Sequence, residues 1–133
     1  MKTYHLFLIA IAIFIITSCS KSSSAAASLH DYLSAGSWYV YQYSENGVNH
    51  TDDYGGYQLT FNTDGTFSVH INTTTDNGTW TDNGGNSKLI LTMTTSDVLL
   101  QKLIKSWNVT SQAFDHIEMK DDSNTEIFHL QKL

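Results

Sequence analysis

The sequence predicts an all-β protein, built as an eight-stranded antiparallel up-and-down barrel with a short helical turn before the first strand. Three observations lead to this prediction. Short segments alternate apolar and polar residues with a period of two, as strands with one buried face do. Turn residues separate most of these segments at intervals close to about 8–12 residues. The chain of 133 residues contains no proline, which would remove hydrogen-bond donors from a sheet.

The first predicted element is a helical turn that begins at Leu29. Ser28 and Asp31 match a capping box, in which each of the two side chains accepts a hydrogen bond from the backbone N–H of the other residue. Leu29 and Leu33 share one face of the turn. Gly36 is predicted to end it, because glycine is common just after the last helical residue.

Eight strands are predicted after this turn. They cover residues 38–43, 56–62, 66–72, 78–83, 87–94, 103–109, 114–120 and 125–132. The segments 62–65 and 75–78 are predicted as tight turns, because they end in Asp64-Gly65 and Asn77-Gly78. Short turns favour pairing between consecutive strands. A sheet of eight such strands is most favourable when closed, because closure removes its exposed edges.

Two connecting segments allow more than one interpretation. Residues 95–102 form either a helical turn capped by Ser96 or a loop that leads directly into the sixth strand. The longest connection, 44–56, contains Gly47, Gly55 and Gly56. It is either a movable lid over the open end of the barrel or a disordered surface loop.

The first strand begins with Gly36-Ser37-Trp38, and this Gly-x-Trp motif after a short helical turn resembles the lipocalin and fatty-acid-binding (calycin) superfamily. The segments LTFNTDGTFSV, GTW and LILTM are similar to lipocalin-like domains of Bacteroidetes lipoproteins. The resemblance covers residues 29–133. It implies that Trp38 packs across the closed end of the barrel, under a basic side chain from the last strand.

Lys132 is the candidate for that basic side chain, because it is the basic residue of the last predicted strand. The family usually has arginine here, and this chain contains none. The alternative is that Lys132 is a solvated residue near the end of the chain.

The interior of an eight-stranded barrel is just wide enough to be filled by side chains or to hold one small ligand. The residues predicted to face inward are Trp38, Val40, Tyr57, Leu59, Phe61, Phe67, Val69, Ile71, Trp80, Leu89, Leu91, Met93, Trp107, Val109 and Ile117. These large apolar side chains serve equally as a packed core or as the walls of a ligand pocket. The pattern alone does not distinguish the two.

Tyr39, Tyr41 and Tyr43 alternate along the first strand. If Trp38 and Val40 point inward, the three tyrosines point outward. We favour a structural role, in which β-favouring aromatic residues cover an exposed strand face. The functional alternative is a surface that binds a partner or a glycan.

The start of the chain has the pattern of an export signal over residues 1–18: Lys2, an apolar run from 6 to 16, and then small residues. This run is shorter than the ~20 residues that a spanning helix needs. The segment Ile16-Thr17-Ser18-Cys19 resembles the bacterial lipobox. That resemblance implies cleavage before Cys19, diacylglycerol on its thiol and acylation, for instance with palmitate, of the new amino terminus.

Several acyl chains on one residue would hold the protein on a membrane. Ser20 after the cysteine resembles sorting to the bacterial outer membrane, on a face that the sequence does not specify. Residues 19–28 are predicted to be a lipidated flexible tether, because they are too poor in apolar residues to fold, and residues 29–133 form the barrel domain. The alternative for Cys19 is a free thiol in an ordinary secreted protein.

Charge and motif content argue against several classes of function. The chain has 7 basic and 13 acidic residues, a net charge of −6, which disfavours nucleic acid as a partner. No nucleophile elbow or phosphate-binding glycine loop occurs, so no enzyme is expected. The histidines lie apart in the sequence, and neither a metal nor a cofactor is predicted; these residues are His5, His30, His50, His70, His116 and His129.

The sequence therefore favours a monomeric, membrane-anchored barrel that binds a small apolar ligand at its open end. The alternative is an envelope interaction protein with a filled barrel, for example a protease inhibitor or an adhesion component. The interior distinguishes them. A cavity on the order of a few hundred Å³ favours the carrier, and a packed core favours the interaction protein.

Overall fold

The computed structural model describes residues 25–83 and 85–133. The predicted export signal at 1–18, the predicted lipidation site Cys19 and the tether as far as residue 24 lie outside the described residues. Within the described ranges, no helix has the length and apolar character that a membrane crossing requires.

The strands form one sheet that closes on itself. They are β1 (Ser37–Glu45), β2 (Val48–Asn49), β3 (Tyr57–Phe61), β4 (Thr66–Ile71), β5 (Thr74–Asp82), β6 (Lys88–Met93), β7 (Ser106–Gln112), β8 (His116–Lys120) and β9 (Glu126–Lys132). All pairings are antiparallel between neighbours along the barrel, and β9 pairs with β1 to complete the closure. The two-residue β2 folds back and pairs with the last two residues of β1. The predicted eight-stranded up-and-down barrel is therefore confirmed.

In the described part of the chain, three helices accompany the barrel strands: α1 (Leu29–Leu33), a 3-10 helix (Thr51–Tyr54) and α2 (Val98–Leu103). Because the strands alternate in direction, α1 lies at the end where β1 begins, which we call the lower end. The 3-10 helix follows β1 and β2, and α2 follows β6, so both lie at the opposite, upper end.

The predicted capping box of α1 is confirmed. The Ser28 hydroxyl accepts a hydrogen bond from the Asp31 N–H at 3.2 Å, and the Asp31 carboxylate accepts one from the Ser28 N–H at 2.8 Å. The helix does not end at Gly36, however, because its C-cap is Ser34. Gly36 instead allows a close approach, since a Cβ atom there would lie 2.7 Å from Cε of Lys132.

The turn before β5 is displaced from its predicted position. Residues 75–77 are not a turn but pair with β4, and β5 begins at Thr74. The chain reverses at Asn72 instead, which has φ of 52°, a left-handed conformation that asparagine tolerates better than most residues. The Asn77-Gly78 pair was therefore misleading, because Gly78 lies within a strand that packs closely against Phe67 and Thr92.

Residues 98–103 form a helix, as one of the two interpretations of this segment predicted. The capping residue is Asp97 rather than Ser96, and its carboxylate accepts hydrogen bonds from the N–H groups of Leu99 and Leu100 at 2.8 and 3.2 Å. The predicted strand at 103–109 was wrong at its start, because β7 begins only at Ser106.

Candidate functional site

The inward-facing residues predicted from alternation lie in the core of the barrel. All are buried except Ile71, Met93 and Val109, which are half-buried. The core also contains residues that the sequence analysis did not place inside the barrel: Tyr43, Tyr54, Leu100, Leu103, Met119, Phe128 and Leu130. Period-two alternation in β8 and β9 was a sufficient signal for Met119, Phe128 and Leu130.

Tyr43 lies inside the barrel because β1 contains a bulge. The pairing between β1 and β9 passes from Val40–Leu130 directly to Gln42–His129, which leaves Tyr41 as the extra residue. One inserted residue reverses the alternation beyond it. The prediction that all three tyrosines face outward is therefore wrong for Tyr43, which is 0% exposed, whereas Tyr41 is 58% exposed.

The interior is filled in the described part of the chain. Five of its large side chains are 0% exposed, so other protein atoms cover them completely; these are Trp38, Tyr43, Val69, Trp107 and Phe128. Ring contacts run through the core, including Trp107 to Phe128 with centroids 5.0 Å apart. The barrel in this conformation therefore has a packed core rather than a ligand pocket.

The lower end is closed by α1. Leu29 and Leu33 are both 0% exposed, and the Trp38 indole N–H donates to the backbone oxygen of Leu33 at 2.9 Å. Trp38 therefore packs across this end, as the Gly-x-Trp resemblance implied.

Lys132 contacts a different aromatic ring from the one that the resemblance implied. The ammonium group of Lys132 lies 3.6 Å from the ring centroid of Phe114, not over Trp38. The side chain reaches Phe114 past Gly36, where the absence of a Cβ atom leaves space for it. Lys132 is thus neither stacked on Trp38 nor simply solvated.

The upper end is closed by a cap made of the 3-10 helix and α2, which we call the upper cap. Tyr54, Leu100 and Leu103 are buried there. The Tyr54 hydroxyl donates to the backbone oxygen of Leu99 at 3.1 Å, and the Trp107 indole donates to that of Leu103 at 2.9 Å. The segment 44–56 is thus an ordered part of the cap and not a disordered loop.

Two ion pairs tie α2 and the residues after it to the rim of the barrel. Lys102 lies 2.7 Å from Glu45 of β1, and Lys105 lies 2.6 Å from Glu126 of β9. The hydrogen bond from Lys102 lowers the pKa of Glu45, and the same bond raises the pKa of Lys102.

Burial raises the pKa of Tyr43, whose hydroxyl donates to Glu126 at 3.1 Å.

Two of the clefts on the outside of the described barrel lie beside β1. The first, which we call the tyrosine cleft, has a volume of about 210 Å³ and is lined by Tyr41, His116, Glu118, His129, Leu130 and Gln131. The second, the C-terminal cleft, has a volume of about 380 Å³ and is lined by Tyr39, Gly56, Tyr57, Gln58 and Leu133. They adjoin, because Tyr39 and Gln131 are directly paired across β1 and β9.

The histidines do not assemble into a metal site in the part of the chain that the structure describes. His70 is exposed, as its position between Val69 and Ile71 predicted, and its ring lies 3.1 Å from the Thr75 hydroxyl. His30 stacks on Trp80, with centroids 4.8 Å apart. Over residues 25–83 and 85–133, no three His, Cys, Asp or Glu side chains are arranged to hold a metal ion.

Comparison with known proteins identifies the fold. No family model and no curated protein match this chain. A DUF4847 family protein from Bacteroides vulgatus superposes with a TM-score of 0.60 at 14% identity, over 74% of this chain and 93% of that one. A lipocalin-like protein from Bacteroides uniformis superposes with a TM-score of 0.58 at 15% identity, over 75% and 98%. The fold is therefore lipocalin-like.

Proposed function

We propose that this chain is a non-enzymatic binding module, tethered to a bacterial outer membrane by lipid on Cys19, that recognises its partner through the outside of a filled barrel. The packed interior is the observation that carries this proposal. Because the side chains of the described core are almost completely buried against one another, an apolar ligand has no place inside the barrel in this conformation.

The outside of the barrel offers features that a recognition surface needs. The two clefts adjoin on one face, and the exposed ring of Tyr41 projects beside them. Exposed aromatic side chains are common anchors in binding interfaces, because they contribute a large contact area and lose little conformational entropy.

The tether suits presentation of this face away from a membrane. The described chain enters the domain through α1 at the lower end, and residues 20–28 separate Cys19 from α1. Nine extended residues span at most about 32 Å. A lipid on Cys19 would therefore hold the lower end near the bilayer and leave the sides of the barrel accessible.

A carrier of a small apolar ligand is the second candidate, and the upper cap is the observation that favours it. The cap consists of short segments whose apolar side chains, Leu100 and Leu103, occupy the mouth of the barrel. If the ion pairs Lys102–Glu45 and Lys105–Glu126 separated, α2 would also have to give up the hydrogen bonds from Tyr54 and Trp107 before it could withdraw. An acyl chain would then occupy the space that these leucines fill.

Native mass spectrometry of residues 20–133, which include the whole described core, distinguishes the two functions. The protein is purified from cells and then offered hexadecanoic acid, alongside a lipocalin known to bind this acid. We expect the protein to carry no lipid, either as purified from cells or after hexadecanoic acid is added. A stoichiometric complex with lipid would overturn the filled-barrel proposal and support the carrier.

The membrane anchor is tested on the full chain expressed in a bacterium. Mass spectrometry of the mature amino-terminal peptide should reveal a Cys19 that carries acyl chains, and Cys19→Ala should leave the chain without acyl groups and without cleavage before residue 19. An unmodified thiol at Cys19 in the wild-type chain would contradict the anchor.

A further inference from the structure

The tyrosine cleft is formed by the β-bulge in β1. Tyr41 is the residue that the bulge inserts, and its ring stands at one edge of the cleft. The opposite wall is formed by β8 and β9, where Glu118 and His129 are directly paired. The cleft therefore has an exposed aromatic ring on one side and the polar side chains of β8 and β9 on the other.

Three polar side chains of this cleft make no hydrogen bond within the described part of the fold. Glu118, His129 and Gln131 are half-buried, yet their side chains make no hydrogen bond to any described residue. Such groups retain their full capacity to bind a ligand that brings its own donors and acceptors. His116 has its Nδ1 atom engaged at 2.9 Å by Asp115, which orients its ring.

The charge of the cleft disfavours anionic ligands. The chain contains no arginine, and the lining includes the carboxylate of Glu118. Burial lowers the pKa of His129, and the nearby charges of Lys120 and His116 lower it further, while Glu118 opposes the shift. An imidazole whose charged form is disfavoured, beside a carboxylate, is a poor site for phosphate or sulfate.

The aromatic and polar groups that line the cleft fit a neutral ligand whose aliphatic ring carries many hydroxyl groups. The face of an aromatic ring carries negative charge density, which attracts the weakly positive C–H bonds of an aliphatic ring. The carboxylate, imidazole and amide groups accept and donate hydrogen bonds to hydroxyl groups. The volume of about 210 Å³ is below the ~300–1,000 Å³ typical of drug-sized ligands, and it suits one sugar ring.

We propose that the tyrosine cleft binds one residue of a neutral saccharide, stacked on Tyr41 and hydrogen-bonded to Glu118, His129 and Gln131. This inference rests on the proposed function, because it uses the outer face of a filled barrel. It also specifies the partner as a glycan rather than a protein. One small cleft implies weak binding, with a dissociation constant on the order of millimolar for a single sugar.

Nuclear magnetic resonance on isotope-labelled residues 20–133 tests the proposal. Glucose, galactose, mannose and N-acetylglucosamine are titrated separately, and the backbone amide shifts are followed. At least one of these sugars should shift the amides of Tyr41, Glu118, His129 and Gln131 in a saturable way. Shifts confined to other parts of the barrel, or none from all four sugars, would overturn the saccharide site.

Variants link any shift to the cleft. Tyr41→Ala should raise the dissociation constant by about fivefold or more through loss of the stacking face, whereas Tyr41→Phe should bind almost as the wild type does. Glu118→Gln keeps the shape of the side chain and measures how much the negative charge of the carboxylate contributes to affinity. Ile90→Ala on β6 removes an exposed apolar side chain outside the cleft and is the matched control. Equal affinity in Tyr41→Ala and the wild type would exclude the site.

The outcomes separate this inference from the proposed function. If no sugar binds and hexadecanoic acid does not bind either, only the saccharide assignment fails. If hexadecanoic acid enters the barrel, the filled-barrel proposal fails whatever the sugars do.

Discussion

The hydroxyl group of Tyr54 donates a hydrogen bond to the backbone oxygen of Leu99, 3.1 Å away. This contact joins the 3-10 helix that follows β1 to the helix that follows β6, two segments 45 residues apart in the chain. Burial raises the pKa of Tyr54, so its hydroxyl remains a donor through the neutral range. Together the two segments close the upper end of the barrel.

Tyr54→Phe should destabilise the protein by about 1 kcal/mol, because the oxygen of Leu99 loses its partner while the ring keeps its packing. Urea unfolding followed by tryptophan fluorescence measures the change. The ring contacts with Tyr43 and Tyr57 are retained in this variant, so a much larger loss would mean that the hydroxyl supports more than one hydrogen bond. No loss would mean that the two segments are not joined in solution.

Leu100→Ala should lower the free energy of unfolding by about 2–5 kcal/mol, because it removes a fully buried side chain from the mouth of the barrel and leaves a cavity. Val98→Ala in the same helix is the matched control. Val98 is 68% exposed, and its truncation should change stability by no more than about 0.5 kcal/mol. Equal effects of the two substitutions would show that α2 does not fill the barrel mouth.

Gly78→Ala should destabilise the barrel by about 1–3 kcal/mol through overpacking. A Cβ atom at this position would lie against the backbone oxygen of Thr92 and 2.7 Å from the ring of Phe67, and backbone cannot move aside cheaply. Gly85→Ala is the control, since the nearest atoms to a Cβ there are 3.8 Å away. Thermal melts of both variants measure the difference, and a stable Gly78→Ala would contradict the tight packing of β5 on β6.

Acid should weaken the turn between β8 and β9 through Asp121. Burial opposes the shift, but hydrogen bonds from Ser123 and from the N–H groups of Glu126, Thr125 and Ser123 lower the pKa of Asp121 from 3.8 to about 2. Because the folded-state pKa is the lower one, the stabilisation is complete above about pH 4. It is lost as the pH falls through about 2.

Urea unfolding at pH 5 and at pH 2 measures this loss. Asp121→Asn keeps one acceptor oxygen but does not titrate, so its stability should fall less over this range than that of the wild type. The exposed Asp52→Asn is the control and should follow the wild-type decline. If Asp121→Asn declined as steeply as Asp52→Asn, the turn would not be responsible for the acid sensitivity.

Local sequence patterns predicted most of the barrel wall correctly. In β3 and β4, strict alternation places Leu59 and Val69 inward, and the two are paired in the structure. The capping box at Ser28 was also readable, because both of its hydrogen bonds join residues three positions apart. Patterns of this kind depend only on near neighbours in the chain.

The tyrosine cleft could not be predicted from the sequence, in which Tyr41 is only one of three alternating tyrosines. The bulge that separates Tyr41 from Tyr43 depends on how β1 pairs with β9, more than 80 residues later. Likewise, Glu118, His129 and Gln131 come together only because β8 and β9 are adjacent.

The sequence by itself determined the strand number, the alternation of most strands and the first helical cap, since these follow from period and turn chemistry within a few residues. The tertiary structure alone decided whether the barrel is open or filled. That outcome depends on α1, α2 and the 3-10 helix, which dock their apolar side chains at the two ends. It also depends on one inserted residue in β1, which turns Tyr43 inward and leaves Tyr41 on the surface, because pairing between distant strands sets the register.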